Sequence, residues 1–336
     1  MYRLHVRCAS PKSVPGWGDD AITRGRWHGM MRAAKNTAPR PDLGTRTEDP
    51  LLRTDRTWPR QDKTARIGGL RLHYATWGPT AGPPILLLHG GAANSHWWDW
   101  VAPELARSFR VLALDFPGHG GSEWPRPPRY GMQDFVEAAV AFAEALGLRR
   151  LDLAGHSMGG KVAMLAAARY PGRVGSLIVV DATPDVSADG LAEMRQIGTR
   201  PLRLFPSRQA ASRAFRLIPR ETVAPMARLR ALATRSTRHR GRGRWSIGPD
   251  REFFSRVVPQ VAWPVLPRIQ CPTLILRAER SSILSRHTAE RMRREVPRAT
   301  LLEISETYHH LIFERPVEVA RAVREFLAGD SPAPSK

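Results

Sequence analysis

A serine lies at the centre of the most informative segment of this 336-residue chain. Residues 155–159 (Gly-His-Ser-Met-Gly) follow a short apolar run and precede a helical pattern over residues 161–170. Glycines on both sides of a serine let a strand turn sharply into a helix, with no Cβ in the way. The hydroxyl is then exposed at the helix N-terminus, where backbone N–H groups and the helix dipole stabilise a developing oxyanion. A purely structural Gly-Ser turn is the alternative, but the flanking strand and helix favour Ser157 as a nucleophile.

Two further segments place chemistry-bearing residues where a serine enzyme needs them. Residues 84–88 form a buried-strand pattern that ends in a His-Gly-Gly loop, and Gly91 of that loop can turn a backbone N–H toward the serine. Near the other end, residues 300–304 predict the last strand, and the pair His309 and His310 follows it. A histidine in that loop can reach across the sheet as the general base that accepts the serine proton.

The order of these motifs resembles that of the α/β-hydrolase family. The resemblance implies Ser157 as nucleophile, an oxyanion hole formed by the N–H groups of Met158 and Gly91, and no cofactor. In that family the catalytic histidine lies five residues before an acidic residue, here Glu314, which selects His309, although glycine usually precedes it. Epoxide and haloalkane hydrolases of the family carry aspartate at the elbow, so serine disfavours those activities. The matching motifs lie between about residues 66 and 327: His89-Gly90-Gly91, Asp115 to Ser122, the Ser157 elbow, and His309 to Pro316.

The acidic member of the triad is ambiguous in this sequence. Most family members carry an aspartate just after the seventh strand, whereas both corresponding positions here are serine, Ser281 and Ser282. Asp181 follows the sixth strand, whose end faces the same histidine loop, and some lipase-like members place the acid there. Glu279 lies on the seventh-strand side, about two residues early. We predict Asp181 as the acid, and Glu279 or a triad without an acid are the alternatives.

Alternating strand and helix patterns predict an α/β fold, a mostly parallel eight-stranded sheet with helices on both faces. Within residues 132–146, apolar side chains recur at three- and four-residue spacing, and Gly147 then ends the helix. The resemblance implies a helical cap inserted between strands 6 and 7. The predicted elements are a hairpin over 66–77, strands over 84–88, 110–115, 150–155, 176–181, 273–278 and 299–304, and helices over 97–108, 132–146, 158–169, 286–295 and 317–327.

Composition divides the chain into three zones. Residues 1–60 are basic and lack apolar periodicity, so we predict a disordered extension. Residues 61–184 and 268–330 are predicted to form the hydrolase core, and residues 185–267 the helical cap. The cap segment holds 16 arginines and 6 acidic residues, a balance of +10. Its apolar residues, which either line an acyl pocket or pack the cap on the core, include Met194, Leu204, Phe205, Phe215 and Met226.

The net charge of +21 raises the question of nucleic-acid binding. Much of this charge belongs to residues 1–60 and 185–267, and only the run 235–244 is dense enough in arginine to suggest a polyanion contact. We interpret that run as a solvated loop and predict no specific nucleic-acid partner. The two cysteines, the dispersed 11 histidines and the lack of a long apolar run predict a cytoplasmic protein with no metal site, no membrane span and no secretory signal.

These features together predict a serine hydrolase that cleaves an ester, a lactone or a related small carbonyl substrate through an acyl-enzyme. The expected substrate is a small molecule with an apolar acyl group. A carbon–carbon bond hydrolase and a haloperoxidase-like enzyme share the same constellation and are the alternatives within the enzyme class. A non-catalytic binding protein on the same scaffold is the alternative from another class. The sequence leaves the oligomeric state open.

Overall fold

The computed structural model describes residues 58–185 and 187–329, so the predicted extension over residues 1–60 lies almost entirely outside the described residues. The strands are β1 (Gln61–Ile67), β2 (Leu70–Trp77), β3 (Pro84–Leu88), β4 (Arg110–Leu114), β5 (Leu151–His156), β6 (Val174–Val180), β7 (Thr237–His239), β8 (Trp245–Ile247), β9 (Thr273–Ala278) and β10 (Ala299–Ile304). The helices are α1 (Ala102–Leu105), α2 (Met132–Ala145), α3 (Met158–Arg169), α4 (Ala188–Thr199), α5 (Arg208–Arg213), α6 (Met226–Arg235), α7 (Arg251–Arg256), α8 (Arg286–Glu295), α9 (Leu311–Glu314) and α10 (Pro316–Ala328).

Eight strands form the main sheet, in the order β1-β2-β4-β3-β5-β6-β9-β10. β1 and β2 form a hairpin, β2 also pairs antiparallel with β4, and the other neighbours pair in parallel. The predicted α/β class and the mostly parallel eight-stranded sheet are confirmed. Because parallel strands end at the same edge, the loops after β3, β5, β6 and β10 meet along one edge of the sheet.

Helices cover both faces of this sheet. On one face, buried residues of α2, α3 and α8, such as Phe135 and Met292, pack on the strands. On the other face, α1 and α10 do the same, with Val323 among the buried residues. Successive strand residues point to opposite faces, so Leu86 of β3 joins the first cluster and Leu87 the second. Burial on both faces explains why these strands are continuous apolar runs in the sequence.

Most predicted boundaries agree with the structure to within two residues, but the helix predicted over residues 97–108 was wrong. That segment forms a 3-10 turn at Ser95–Trp98 and then only the four residues of α1. Residues 97–102 are all buried, and six consecutive buried positions would cover every side of a helix, whereas an amphipathic helix buries only one stripe. The hairpin also begins earlier than predicted, at residue 61. No helix within residues 58–185 and 187–329 is long and apolar enough to cross a bilayer.

The segment between β6 and β9 interrupts the strand-helix alternation where the sequence predicted a cap. Residues 185–267 of this segment, hereafter the insertion, contain α4 to α7 and also the small hairpin of β7 and β8. Hydrogen bonds join the insertion to the rest of the chain. The Asp250 carboxylate accepts from Tyr130 and Arg126, and Arg228 donates to the backbone carbonyl of Phe313.

Candidate active site

Ser157 lies in the turn between β5 and α3, at the carboxyl edge of the sheet. Its backbone has φ 54° and ψ −118°, a strained combination for a residue that carries a Cβ. The Ser157 N–H donates to the carbonyl of Val180 at 3.0 Å, which holds the turn against β6. The side chain is half-buried and stands at the start of a 12-residue helix. The turn therefore presents Ser157 at the positive end of the α3 dipole.

The glycines around this turn are required by the close approach of strand and helix. A Cβ on Gly155 would lie 2.2 Å from the carbonyl oxygen of Gly159, and a Cβ on Gly159 would lie 2.3 Å from the carbonyl oxygen of Leu88. A Cβ on Gly160 would lie 2.5 Å from the Cβ of Ala182. These separations are far below van der Waals contact, so only glycine lets α3 pack this closely on β3 and β5.

Asp181 and His309 meet as a buried pair. Asp181 directly follows β6, and His309 lies in the loop between β10 and α9. Nδ1 of His309 is 2.7 Å from Oδ2 of Asp181, and the two residues are 3% and 0% exposed. Oδ1 of Asp181 accepts the N–H of Ala278 at 2.9 Å, which fixes the carboxylate. With Nδ1–H donating to the carboxylate, Nε2 of His309 keeps a free lone pair and can accept a proton.

The competing candidates, His310 and Glu279, have other partners. Nε2 of His310 bonds to the carbonyl oxygen of Pro219 in the insertion at 2.8 Å, and its ring stacks on Phe313. Glu279 is exposed, and its carboxylate accepts the N–H of Glu306 at 2.6 Å. Within the described part of the chain, neither side chain hydrogen-bonds to the aspartate–histidine pair.

Ser281 stands where most members of the resembling family have their acid, and it makes a contact that sequence reasoning missed. Its hydroxyl donates to Oδ2 of Asp181 at 2.5 Å. Its Oγ accepts the N–H groups of Ile283 and Leu284 at 3.1 and 3.0 Å, which orients it. Ser281, in the turn after β9, thus stabilises the carboxylate of Asp181, the candidate acid that follows β6. The sequence did offer a signal for this contact. It has a serine at the usual position of the acid, and a candidate acid follows the neighbouring strand.

Burial governs the protonation of the pair. It raises the pKa of Asp181 to about 6, although hydrogen bonds from Ser281 and Ala278 favour the charged carboxylate. Burial also lowers the pKa of His309 to about 4. At neutral pH the carboxylate is therefore ionised and the imidazole is neutral, which is the protonation state that a general base requires.

The loop that carries His309 is held by hydrogen bonds at both ends. Oε2 of Glu314 accepts the N–H of Tyr308 at 2.7 Å, and the carbonyl of His309 accepts from Nε2 of His156 at 2.8 Å. The positive φ in this loop, 54°, belongs to Glu306, so position 308 does not need the conformational freedom of glycine. This is how the loop accommodates tyrosine where the resembling family usually has glycine.

Gly91 and Met158, the predicted oxyanion-hole residues, are neighbours. A Cβ on Gly91 would lie 3.9 Å from Sδ of Met158. Met158 is the first residue of α3, and the first N–H groups of a helix have no intrahelical acceptor. Buried Asp115 organises the loop beyond Gly91, because its carboxylate accepts the N–H of Ser95 at 2.6 Å and contacts Nδ1 of His73 at 2.7 Å. Convergence of the two N–H groups on one oxyanion stays a prediction.

Three buried histidines, His156, His309 and His310, lie close together, with one ring nitrogen of each within 4.8 Å of the others. The fold creates this cluster from residues 153 positions apart, so no sequence spacing could reveal it. Each ring has a protein partner: the carbonyl of His309, the carboxylate of Asp181, and the carbonyl of Pro219. Burial, followed by repulsion from the neighbouring imidazoles, lowers the pKa of His156 far below its usual value. We therefore interpret the cluster as neutral packed imidazoles.

A cavity of about 410 Å³ lies between the insertion and the loop beyond Gly91. The loop contributes Ala92, Ala93 and Asn94 to its wall. Of the five apolar insertion residues singled out in the sequence, Phe215 lines this cavity, Phe205 is buried, Met194 is half-buried, and Leu204 and Met226 are exposed.

Comparisons with known proteins agree with this fold. The profile of a family described as alpha/beta hydrolase fold matches residues 83–316. Epoxide hydrolase 3 from Xenopus tropicalis is 27% identical over 283 residues, 78% of this chain and 76% of that protein. An esterase from Mycobacterium tuberculosis is 39% identical over 141 residues, 40% of this chain and 46% of the esterase. The crystal structure of E-2-(acetamidomethylene)succinate hydrolase covers 80% of this chain and 100% of its own, with a TM-score of 0.70 at 23% identity.

Several curated relatives have a higher sequence identity to this chain than the epoxide hydrolase does, but the match covers less of their length. In three of them, which are 37–41% identical, the matched part is 31–36% of the relative. The likeness to the succinate-derivative hydrolase, at 23% identity, shows the fold alone.

Proposed function

The chain belongs to the α/β-hydrolase fold family, and from that premise we propose that it is a serine hydrolase that cleaves an ester, a lactone or a related small carbonyl substrate. The acyl-enzyme forms on Ser157. His309 is the general base, Asp181 orients it, and the N–H groups of Met158 and Gly91 form the oxyanion hole. No cofactor takes part in this reaction scheme.

In the proposed reaction, Oγ of Ser157 attacks the carbonyl carbon while Nε2 of His309 accepts its proton. The two backbone N–H groups donate to the tetrahedral oxyanion. The C–O bond to the leaving alkoxide then breaks, and His309 returns the proton to it, which leaves an acyl-serine. Water attacks the acyl-serine with His309 again accepting the proton, and the acid is released as Ser157 recovers its proton.

The observation that carries the proposal is the 2.7 Å contact between Asp181 and His309 beside a strained serine turn. Hydrogen bonds to backbone groups also connect the segments that carry Ser157, Asp181 and His309. The N–H of Ser157 bonds to Val180, the residue before Asp181, and His156, the residue before Ser157, bonds to the carbonyl of His309. The serine turn is thus joined to His309 and to the residue that precedes Asp181.

The alternatives carry different weights. The missing seventh-strand acid suggested a non-catalytic binding protein, and the contact between Asp181 and His309 is an argument against that alternative. Carbon–carbon bond hydrolysis and haloperoxidase-like chemistry use the same residues, so they are separated from ester hydrolysis only by assays on their substrates. One relative is named an epoxide hydrolase, but Ser157 stands at the elbow here and cannot supply a carboxylate nucleophile.

The test is labelling by a fluorophosphonate probe, followed by peptide mapping. We expect Ser157 to carry the label, because the probe reacts with an activated serine whatever the natural substrate. Ser157→Ala should abolish both labelling and hydrolysis of p-nitrophenyl acetate. Ser282→Ala, which removes an exposed serine from the loop after β9, is the matched control and should keep both.

The base is tested in the same assay. His309→Ala should abolish turnover, whereas His310→Ala should retain a larger fraction, because the His310 ring bonds to Pro219 and not to Asp181. Labelling that persists in Ser157→Ala, or equal losses from the two histidine variants, contradicts the proposal.

A further inference from the structure

The wall of the cavity beside the Gly91 loop carries more positive charge than the protein neutralises. Four insertion arginines line it: Arg216, Arg235, Arg238 and Arg251. Arg235 forms an ion pair with Asp99 at 2.8 Å. Within the described residues the other three have no ion pair with a carboxylate, and they bond only to backbone carbonyls.

These backbone contacts leave guanidinium donors free. Arg216 uses Nη1 for the carbonyls of Arg213 and Phe215, at 2.7 and 2.6 Å. Arg251 reaches the carbonyl of Pro201 at 3.4 Å, and its buried Nε has no partner among the described residues. Arg238 uses Nη1 for the carbonyls of Gly120 and Ser122. Each group therefore keeps N–H donors for a further acceptor.

Removing a cation from water without a counter-charge costs free energy, and two half-buried arginines of this wall, Arg238 and Arg251, show that effect, whereas Arg216 is exposed. Burial lowers the pKa of Arg238 by more than the attraction of nearby Asp115 raises it, and burial followed by repulsion from Arg200 lowers the pKa of Arg251. Just behind the wall, burial and then repulsion from Arg238 lower the pKa of Arg240 to about 10. Each of these guanidinium groups would gain from a nearby anion.

The acidic residues of the same wall, Asp62 and Asp115, are already engaged. Asp115 contacts His73 at 2.7 Å and accepts two backbone N–H groups. Asp62 pairs with Arg60 at 2.8 Å and with the same histidine at 3.1 Å. The uncompensated positive charge therefore belongs to the side of the cavity that the insertion forms.

We propose that this cavity binds the anionic end of the substrate, a carboxylate or phosphate group held by Arg216, Arg238 and Arg251. Guanidinium groups match both oxyanions in geometry and charge. The remaining wall combines polar residues with apolar ones such as Ile197 and Phe254, so the ligand joins an apolar body to one anionic group. This inference rests on the proposed function, because it assigns the anion to the molecule that Ser157 attacks. The proposed substrate is therefore amphipathic, whereas the sequence predicted a substrate with an apolar acyl group.

Paired esters test the substrate class at constant ionic strength. The p-nitrophenyl monoester of glutaric acid carries a free carboxylate, and p-nitrophenyl hexanoate is a neutral partner of similar length. We expect the wild-type protein to have the higher kcat/KM for the carboxylate ester, mainly through a lower KM. Arg216→Gln and Arg251→Gln should each reduce the ratio of the two kcat/KM values by on the order of tenfold, because each removes a charge-assisted hydrogen bond. Arg195→Gln is the matched control, an exposed insertion arginine outside the cavity wall, and should leave the ratio unchanged.

A binding experiment keeps this inference separate from the proposed catalysis. In Ser157→Ala, glutarate and inorganic phosphate are titrated and the melting temperature is recorded, with glutaramide as the uncharged comparison. A rise with glutarate or phosphate that Arg251→Gln weakens supports the inference even if no ester is hydrolysed, and the stronger anion identifies the group. The inference is overturned if neither glutarate nor phosphate raises the melting temperature more than glutaramide does, or if the two cavity variants leave the ester ratio unchanged.

Discussion

Asp181 is the residue on which the proposed chemistry depends most, because we propose it as the acid in place of the one that the family usually takes from another strand. Asp181→Asn keeps the shape of the side chain but removes the acceptor that fixes the imidazole tautomer. We expect kcat for an activated ester to fall on the order of 10⁴-fold. Glu279→Gln is the control, since Glu279 bonds to the Glu306 N–H, and should cost little. Similar losses in the two variants would argue against Asp181 as the acid.

Ser281 is expected to tune the same acid. Turnover requires an ionised Asp181, whose pKa burial raises to about 6, so kcat/KM should rise with pH through this region. The Ser281 hydroxyl stabilises the charged carboxylate, and Ser281→Ala should therefore raise the pKa of Asp181 further and shift the acid limb to higher pH. A pH–rate profile of kcat/KM for both proteins measures the shift. A uniform loss of rate with an unmoved acid limb would indicate a purely structural role.

The elbow between β5 and α3 illustrates how one element positions another. Gly159→Ala would place a Cβ 2.3 Å from the carbonyl oxygen of Leu88, so α3 must move away from β3. We expect a loss of about 1–3 kcal/mol in the free energy of unfolding, together with weaker fluorophosphonate labelling, because Ser157 moves with the helix. Gly172→Ala is the control, since its Cβ would meet nothing within 4 Å. Thermal melts and labelling on the same samples would show whether the two losses coincide.

The hairpin of β7 and β8 contains most of the arginine run 235–244, which in the sequence suggested a polyanion site. The run is not simply a solvated loop, because Arg238 bonds to the carbonyls of Gly120 and Ser122. Arg240 lies over the ring of Trp124 at 4.0 Å and bonds to Ser246 at 2.7 Å. The turn of the hairpin, which holds Arg242 and Arg244, is exposed, and so is His239 of β7. Alternation along a strand thus directs part of the run toward the protein.

At the scale of the whole molecule, buried Asp99 connects distant parts of the described chain, because its carboxylate accepts hydrogen bonds from two arginines far apart in sequence. Arg60 donates to its carboxylate at 2.6 Å, and Arg235 of the insertion at 2.8 Å. Arg60→Ala should lower the free energy of unfolding by about 1–3 kcal/mol, because a charged hydrogen bond to a buried carboxylate is lost. Removal of residues 1–57 should leave the melting temperature unchanged, since that sequence has no apolar periodicity to pack on the core. Arg66→Ala is the control for Arg60→Ala, since among residues 58–185 and 187–329 the Arg66 guanidinium donates to the Gly69 carbonyl alone, at 3.4 Å. A drop on truncation equal to that of Arg60→Ala would refute this boundary.

Local sequence determined the helices and strands, and it identified the residues that are able to do chemistry. The 158–169 helix and the 273–278 and 299–304 strands were predicted to the residue, because short-range apolar patterns and turn residues suffice for such elements. The serine between glycines and the histidine after the last strand were likewise recognisable, since both belong to contiguous motifs.

Tertiary structure alone decided which side chains meet. Asp181 and His309 are 128 residues apart, so their contact depends on the order of strands in the sheet, and the support from Ser281 depends on the neighbouring strand. The four-residue α1 arose because both sides of its segment are buried. The cavity arginines could be counted in the sequence, but only the fold shows which of them lack a carboxylate. Charge compensation depends on the distance in space between an arginine and a carboxylate, and the sequence does not contain that distance.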